Sequence, residues 1–106
     1  MQEIRPGELA RKLRGDSEPP LVLDVREPWE HEFARIEGAE LIPMGEVPAR
    51  LNDFDPERET VVICHYGSRS AQIASLLESA GLRRVLNLQG GIDAWSREVD
   101  RSVPRY

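Results

Sequence analysis

Short aliphatic runs alternate along this chain with segments of helical periodicity, and this alternation is the feature that most constrains its fold. The clearest runs are residues 21–25, 60–64 and 84–88. The first two lack the apolar–polar alternation of a strand with one solvated face, which is typical of parallel strands buried between helices. A helical pattern over residues 68–80 follows the second run directly. The order of these elements predicts an α/β fold with a mainly parallel sheet and helices on both faces.

Shorter elements complete the predicted order. Ile4 opens an edge strand, and Pro6 suits the first turn of a helix that runs to Arg14. We also expect a helix over residues 29–35, a strand over 40–42, one or two helical turns over 47–52 and a last helix over 92–97. A chain of 106 residues is long enough for one hydrophobic core. We therefore expect a single domain over residues 1–106.

Composition argues against several classes of function. One cysteine cannot form an internal disulfide, and with only two histidines the chain lacks the spaced ligands of a zinc site. The formal net charge of −5 mixes both signs, so there is no basic patch for nucleic acid. The opening residues MQEIRPGELARKL lack the apolar stretch of a secretory signal. We expect a cytoplasmic protein that uses no metal or cofactor and binds neither nucleic acid nor a membrane.

The only cysteine, Cys64, lies where an apolar run passes into the polar loop HYGSRS. Ligands of open α/β sheets bind at the carboxyl ends of strands. Gly67 permits a positive φ, so the loop can turn its amide N–H groups toward the sulfur, and the next helix directs its N-terminus there. These groups favour a thiolate, which is a nucleophile. The alternative is an inert core cysteine, but a core position requires neither the glycine nor the hydroxyls and arginine that follow.

The length of this loop distinguishes two kinds of chemistry. Cysteine-dependent phosphatases also place a thiolate beneath a loop at the start of a helix, with one residue more between the cysteine and the arginine. Here Arg69 follows Cys64 after only four residues. A smaller ring of amides suits one sulfur atom bound to Cys64 better than a tetrahedral phosphate. The loop therefore favours sulfur transfer and leaves a phosphatase or arsenate reductase as the weaker alternative.

Four motifs in one order resemble those of the rhodanese superfamily. They are LDVREP at residues 23–28 with Glu30, GAELIP at 38–43, CHYGSRS at 64–70 and NLQGGIDAW at 87–95. Each motif alone is a weak signal, but their conjunction spans most of the chain. The resemblance implies a rhodanese-like sulfurtransferase with a five-stranded, mainly parallel sheet.

The resemblance also implies a mechanism in which Cys64 is the catalytic nucleophile. Its thiolate would attack the outer sulfur of thiosulfate or a related sulfane donor and hold that sulfur as a persulfide. Cyanide or a biological thiol, including a thiol of another protein, would then accept it. His65 stands where members specialised for thiosulfate often carry a basic residue, and a mostly neutral histidine favours a protein persulfide or another small sulfane compound as the donor.

The loop after Cys64 is the candidate substrate-binding segment, with residues His65, Tyr66, Gly67, Ser68, Arg69 and Ser70. Arg69 can bind oxygens of the donor or pair with a carboxylate such as Glu27 or Glu30, and the sequence favours neither. Asp24 and Arg26 end a buried strand at the same sheet edge. This position allows a role in the site itself, but the sequence favours hydrogen bonds and an ion pair between these two residues that support the loop from behind.

A different class of function is a non-catalytic or regulatory rhodanese-like module that binds other proteins. Inactive members of the family commonly lack the thiol, whereas this chain keeps both Cys64 and its loop. The sequence therefore favours the enzyme over the module.

Overall fold

Five strands form one sheet in which every neighbouring pair is parallel. The computed structural model describes residues 1–106. Its strands are β1 (Gln2–Ile4), β2 (Leu21–Asp24), β3 (Glu40–Leu41), β4 (Thr60–Ile63) and β5 (Val85–Leu88). Their order across the sheet is β1-β5-β4-β2-β3, so β4 is central and β1 lies at an edge. The predicted α/β fold with a five-stranded parallel sheet is confirmed.

Helices cover both faces of the sheet. They are α1 (Pro6–Arg14), α2 (Pro28–Phe33), α3 (Ser68–Ser79), α4 (Gly91–Glu98) and a 3₁₀ helix (Met44–Asp53). One core cluster joins α1 and α4 to Val61 and Ile63 of β4. The other joins α3 and the 3₁₀ helix to Val62 of the same strand and to Cys64. Alternate residues of a strand point to opposite faces of the sheet. A strand whose two faces are both covered by helices therefore has an unbroken aliphatic sequence.

Several element boundaries differ from the prediction. Strands β2 and β4 each end one residue early, so Val25 and Cys64 begin the loops that follow. Helix α3 ends at Ser79, and Ala80, the last residue of the expected helix, is exposed beyond the helix end. The helical turns expected over 47–52 belong to the longer 3₁₀ helix, in which Pro48 cannot donate the hydrogen bond that an α-helix requires. No helix combines the length and the apolar character needed to span a bilayer.

Candidate active site

The turn after β4 sets the position of the cysteine. Cys64 directly follows the last residue of β4, and α3 begins at Ser68. Gly67 immediately precedes this helix with a φ of 115°, a conformation that only glycine adopts without strain. The chain therefore reverses from strand to helix within the residues HYG and leaves the thiol at the carboxyl edge of the sheet, beside the start of α3.

The sulfur of Cys64 has two polar neighbours. The amide N–H of Gly67 donates to Sγ at 3.1 Å, and Ser70 Oγ lies 3.2 Å from Sγ. The expectation that several main-chain amides converge on the sulfur itself is wrong, because only this one donates to it. Gly67 is the fourth residue of a turn that begins at Cys64, so its amide faces back toward the first residue. The amides of residues 68–70 have no acceptor within the chain, as is usual in the first turn of a helix.

Ser70 connects the sulfur to Asn87 on β5. The Ser70 hydroxyl donates to Asn87 Oδ1, an atom that can only accept, and Asn87 Nδ2 donates to the Gly67 carbonyl at 3.1 Å. With its one hydrogen directed at Asn87, Ser70 accepts from the thiol of Cys64. A thiolate would instead receive that hydrogen, after the hydroxyl rotates toward the sulfur. Sequence reasoning did not single out Asn87 as a site residue. In the structure it is paired with Val62 of the central strand, near the carboxyl edge of the sheet where Cys64 lies.

Aromatic rings lie at the mouth of the site. The His65 ring stacks between those of Tyr66 and Tyr106, with centroids 3.9 and 3.8 Å away. Burial lowers the pKa of His65 from its ordinary value of 6.5, so the ring is neutral at pH 7. No hydrogen bond joins it to the sulfur. Tyr66 is 61% exposed, whereas Cys64 is only 1% exposed, so the outer rings are accessible and the sulfur is recessed.

The start of α4, which follows the neighbouring strand β5, is hydrogen-bonded to the loop that begins at Cys64. The amides of Ile92 and Asp93 donate to the carbonyls of Cys64 and His65 at 2.9 and 3.1 Å. Gly91 has a φ of 61°, and a Cβ on it would lie 2.6 Å from the Cys64 carbonyl oxygen. Close approach of two backbones therefore requires glycine at this position.

A buried ion pair lies at the end of β2. Arg26 donates from Nη2 to Asp24 Oδ2 at 2.6 Å and from Nε to Asp24 Oδ1 at 2.8 Å, and both side chains are 0% exposed. Burial opposes the charge on Arg26, but hydrogen bonds with Asp24 and Tyr106 outweigh it and raise the pKa of Arg26. Arg26 Nη2 also donates to the Ala34 carbonyl at 2.6 Å. The ion pair expected from the sequence is present, and neither side chain forms a hydrogen bond with the sulfur.

Arg69 pairs with a carboxylate, one of the two arrangements that the sequence left open. Its Nη1 and Nη2 donate to Glu30 Oε2 and Oε1 at 2.8 and 2.9 Å. The Tyr106 hydroxyl donates to Glu30 Oε1 at 2.7 Å, and the Glu27 amide donates to Oε2 at 2.9 Å. Chiefly through Arg69, these donors lower the pKa of Glu30 to about 2.

Tyr106 contacts the site from the far end of the sequence. Its hydroxyl accepts from Arg26 Nη1 at 2.9 Å and donates to Glu30. Its ring covers one face of His65. Burial raises the pKa of Tyr106 to about 12. Sequence reasoning missed this residue because no pattern relates position 106 to position 30.

Comparisons with known proteins agree on one family. A model described as the rhodanese-like domain matches residues 6–98. The chain is 38% identical over 97 residues to a sulfurtransferase of Allochromatium vinosum, covering 92% of this chain and 90% of that protein. It is 36% identical over 112 residues to rhodanese-like/PpiC domain-containing protein 12, chloroplastic, of Arabidopsis thaliana, covering all of this chain but only 38% of that longer protein. The crystal structure of a rhodanese-like domain protein from Staphylococcus aureus superposes with a TM-score of 0.85 at 34% identity, covering 100% of this chain and 99% of that one.

Proposed function

Because the chain belongs to the rhodanese-like domain family, we propose that it is a sulfurtransferase that works through a persulfide of Cys64. It moves a sulfane sulfur from thiosulfate or a related donor to a thiophilic acceptor. The observation that carries the proposal is the position of Cys64 Sγ. This atom lies beside the start of α3 and accepts a hydrogen bond from the Gly67 amide at 3.1 Å. Relatives named sulfurtransferase that the chain covers over most of their length support the same activity.

The first step loads the cysteine. The Cys64 thiolate attacks the outer sulfur of thiosulfate and forms a new S–S bond, while the old S–S bond breaks and sulfite leaves with its electron pair. The Gly67 amide and the Ser70 hydroxyl lie within hydrogen-bond distance of the attacking sulfur. Donors aimed at an anionic sulfur favour the thiolate over the thiol.

The second step unloads the cysteine. An acceptor thiolate attacks the terminal sulfur of the Cys64 persulfide, which transfers that sulfur and releases the Cys64 thiolate. Cyanide as acceptor gives thiocyanate. Since the chain has no second cysteine, it cannot resolve the persulfide as an internal disulfide, and the acceptor is a separate small or protein thiol.

The loop residues have distinct roles in this scheme. The unpaired amides of residues 68–70 would bind the anionic terminal sulfur of the persulfide at the positive end of the α3 dipole. His65 and Tyr66 line the approach to Cys64. Asp24 and Arg26 support the loop as a buried pair and do not touch substrate. We propose that residues 1–106 act as one rhodanese-like domain, and the contact of Tyr106 with Glu30 supports this extent.

Intact-mass spectrometry after incubation with thiosulfate tests the proposal. We expect the wild-type protein to gain one sulfur atom, to lose it when cyanide is added, and to release thiocyanate. Cys64→Ser replaces the nucleophilic sulfur with a hydroxyl of similar shape and should fold but gain no sulfur. A folded wild-type protein that gains no sulfur from thiosulfate or from an organic persulfide would support the non-catalytic module. Release of phosphate from an aryl phosphate would instead support a phosphatase.

A further inference from the structure

The carboxylate of Glu30 has no part in the sulfur transfer described above, yet it pairs with the arginine of the substrate-binding loop. Its side chain is 5% exposed, and both of its oxygens accept from Arg69. Tyr106 and the Glu27 amide each donate to one of these oxygens as well. A carboxylate with four donors is fixed in place and keeps its negative charge at neutral pH.

Arg69 cannot easily leave this pair. Removing Arg69 would leave the Glu30 charge buried without its cation, which costs several times more than breaking an exposed ion pair. Two of the five N–H groups of Arg69 bind Glu30, so the guanidinium can still donate to a substrate. Its positive charge, however, is already neutralised. Arg69 therefore offers a substrate hydrogen bonds without a net charge.

The other basic groups near the sulfur are neutralised or neutral as well. Arg26 is paired with the buried carboxylate of Asp24. The His65 ring is desolvated between two tyrosine rings. A doubly charged donor that approaches Cys64 thus meets hydrogen-bond donors but no uncompensated cation from Arg26, His65 or Arg69. Because Glu30 neutralises Arg69, a second negative charge on the donor gains no net attraction from this pair.

We propose that Glu30 is a specificity-determining residue that selects sulfane donors of low charge, such as organic persulfides, over the thiosulfate dianion. The inference rests on the proposed sulfurtransferase function and names its donor class. With such a donor, the Cys64 thiolate attacks the outer sulfur of R–S–SH. The new S–S bond forms, the old one breaks, and the thiolate R–S⁻ leaves with the electron pair, so that the proton stays on the transferred sulfur.

Glu30→Gln tests this role with little change in shape. Glutamine at this position can still accept from the Glu27 amide, as the third residue of a helix capping box does. Glu8→Gln is the matched control, because Glu8 holds the same capping position in α1 and accepts from the Arg5 amide. The measured quantity is the rate of Cys64 persulfide formation with thiosulfate divided by the rate with cysteine persulfide. A ratio taken on one preparation cancels the protein concentration, and circular dichroism shows that each variant is folded.

We expect the ratio to rise about tenfold in Glu30→Gln, to stay at the wild-type value in Glu8→Gln, and to fall in Arg69→Gln, where the Glu30 charge is left uncompensated. An unchanged ratio in Glu30→Gln, with both donors loading Cys64 in the wild type, would overturn this inference and leave the sulfurtransferase function intact. Failure of both donors to load wild-type Cys64 would overturn both.

Discussion

The ends of β2 and β4 lie next to each other at one edge of the sheet and are stabilised in opposite ways. The sulfur that follows β4 is in contact with an amide and a hydroxyl, neither of which is ionised. The end of β2 carries the buried pair of Asp24 and Arg26, and α2 beside it contributes Glu30. The two strand ends are in register, with Asp24 opposite Ile63.

This difference separates stability from reactivity. Ionised side chains fix the backbone near the nucleophile, while the groups that touch the nucleophile are neutral. Of these, the Ser70 hydroxyl can direct its hydrogen to Asn87 when Cys64 is a thiol and to the sulfur when Cys64 is a thiolate. Breaking the Asp24–Arg26 pair should therefore lower the free energy of unfolding and leave the reactivity of the Cys64 sulfur little changed. A change at the end of β4 should do the reverse, unless it displaces the backbone.

The largest effect is expected at the buried pair. Arg26→Met keeps much of the apolar length of the side chain but takes the arginine from the Asp24 carboxylate, which is 0% exposed. Asp24 is left with the residue-26 amide at 3.1 Å and the His31 ring nitrogen at 2.9 Å. We expect the free energy of unfolding to fall by about 3–5 kcal/mol, measured by urea denaturation. Arg35→Met removes an exposed arginine two residues beyond the end of α2 and serves as the control.

The double variant Asp24→Asn with Arg26→Met sharpens the result. Removing both charges leaves no unpaired ion, so the double variant should be more stable than Arg26→Met alone. If the double variant is instead the less stable of the two, the Asp24 carboxylate is stabilised without Arg26, by the His31 ring and the residue-26 amide. The loss in Arg26→Met then comes from packing and the hydrogen bond to Ala34 rather than from charge.

Gly91→Ala tests the contact between α4 and the Cys64 loop. The new Cβ would lie 2.6 Å from the Cys64 carbonyl oxygen, on a residue with a φ of 61°. We expect a loss of about 3 kcal/mol in the free energy of unfolding, since both the backbone conformation and the overlap are unfavourable. Gly38→Ala is the control, because its φ of 84° is also positive but nothing lies within 4 Å.

Gly38→Ala should cost about 1 kcal/mol, the cost of the backbone conformation alone. The difference between the two variants then measures the overlap with the loop. Equal losses in the two variants would contradict the close packing of α4 against the Cys64 carbonyl.

The elements of the fold could be predicted from the sequence because their signals are local. The aliphatic run of β4, the pattern of α3 and Pro6 at the start of α1 each act within a few residues. The ends of the strands were predicted less accurately than the strands themselves. Val25 and Cys64 have the apolar or β-branched character of strand residues but lie in the loops where the backbone turns. Tertiary structure, rather than residue type, sets these last positions.

The site could be predicted only in part, for the same reason. Cys64 and the expected pair of Asp24 and Arg26 follow from their positions at strand ends. The choice of Glu30 as the partner of Arg69, the hydrogen bond of Asn87 and the stacking of Tyr106 join residues that are distant in sequence. No periodicity or spacing carries that information. It exists only once the sheet order brings β2, β4 and β5 together.

The pH dependence of stability tests the charged side of the comparison. The pKa of Glu30 is lowered to about 2 in the folded protein, below its ordinary 4.5. A lowered folded pKa stabilises the protein above the unfolded value, and this stabilisation is lost as the pH falls from 4.5 toward 2. Since the Arg69 side chain is 32% exposed, we reduce the full linkage value to about 2 kcal/mol.

Urea denaturation at about pH 6 and about pH 2.5 measures this loss against Glu30→Gln, which cannot titrate at that position. We expect the wild type to lose about 1.5 kcal/mol more than the variant between the two values, because roughly a quarter of the stabilisation remains at about pH 2.5. Equal losses in the two proteins would show that the Glu30–Arg69 pair does not depend on ionisation of Glu30.

The smallest expected effect lies at the sulfur itself. Ser70→Ala removes the hydroxyl 3.2 Å from Sγ and leaves the Gly67 amide as the only donor. Because a donated hydrogen stabilises the anionic sulfur, we expect alkylation of Cys64 by iodoacetamide at pH 7 to slow about tenfold, the effect of losing one hydrogen bond to a charged group. Ser68→Ala, which removes an exposed hydroxyl from the same helix turn, should react like the wild type.

Alkylation is compared only between variants that circular dichroism shows to be folded, because an unfolded chain exposes the same thiol to the reagent. Arg26→Met should leave the rate of alkylation near the wild-type value while lowering the free energy of unfolding. Ser70→Ala should slow the rate, and the Asn87 oxygen that it leaves unpaired adds a smaller stability cost. A slowed rate in Arg26→Met, or an unchanged rate in Ser70→Ala, would contradict the division of labour between the two strand ends.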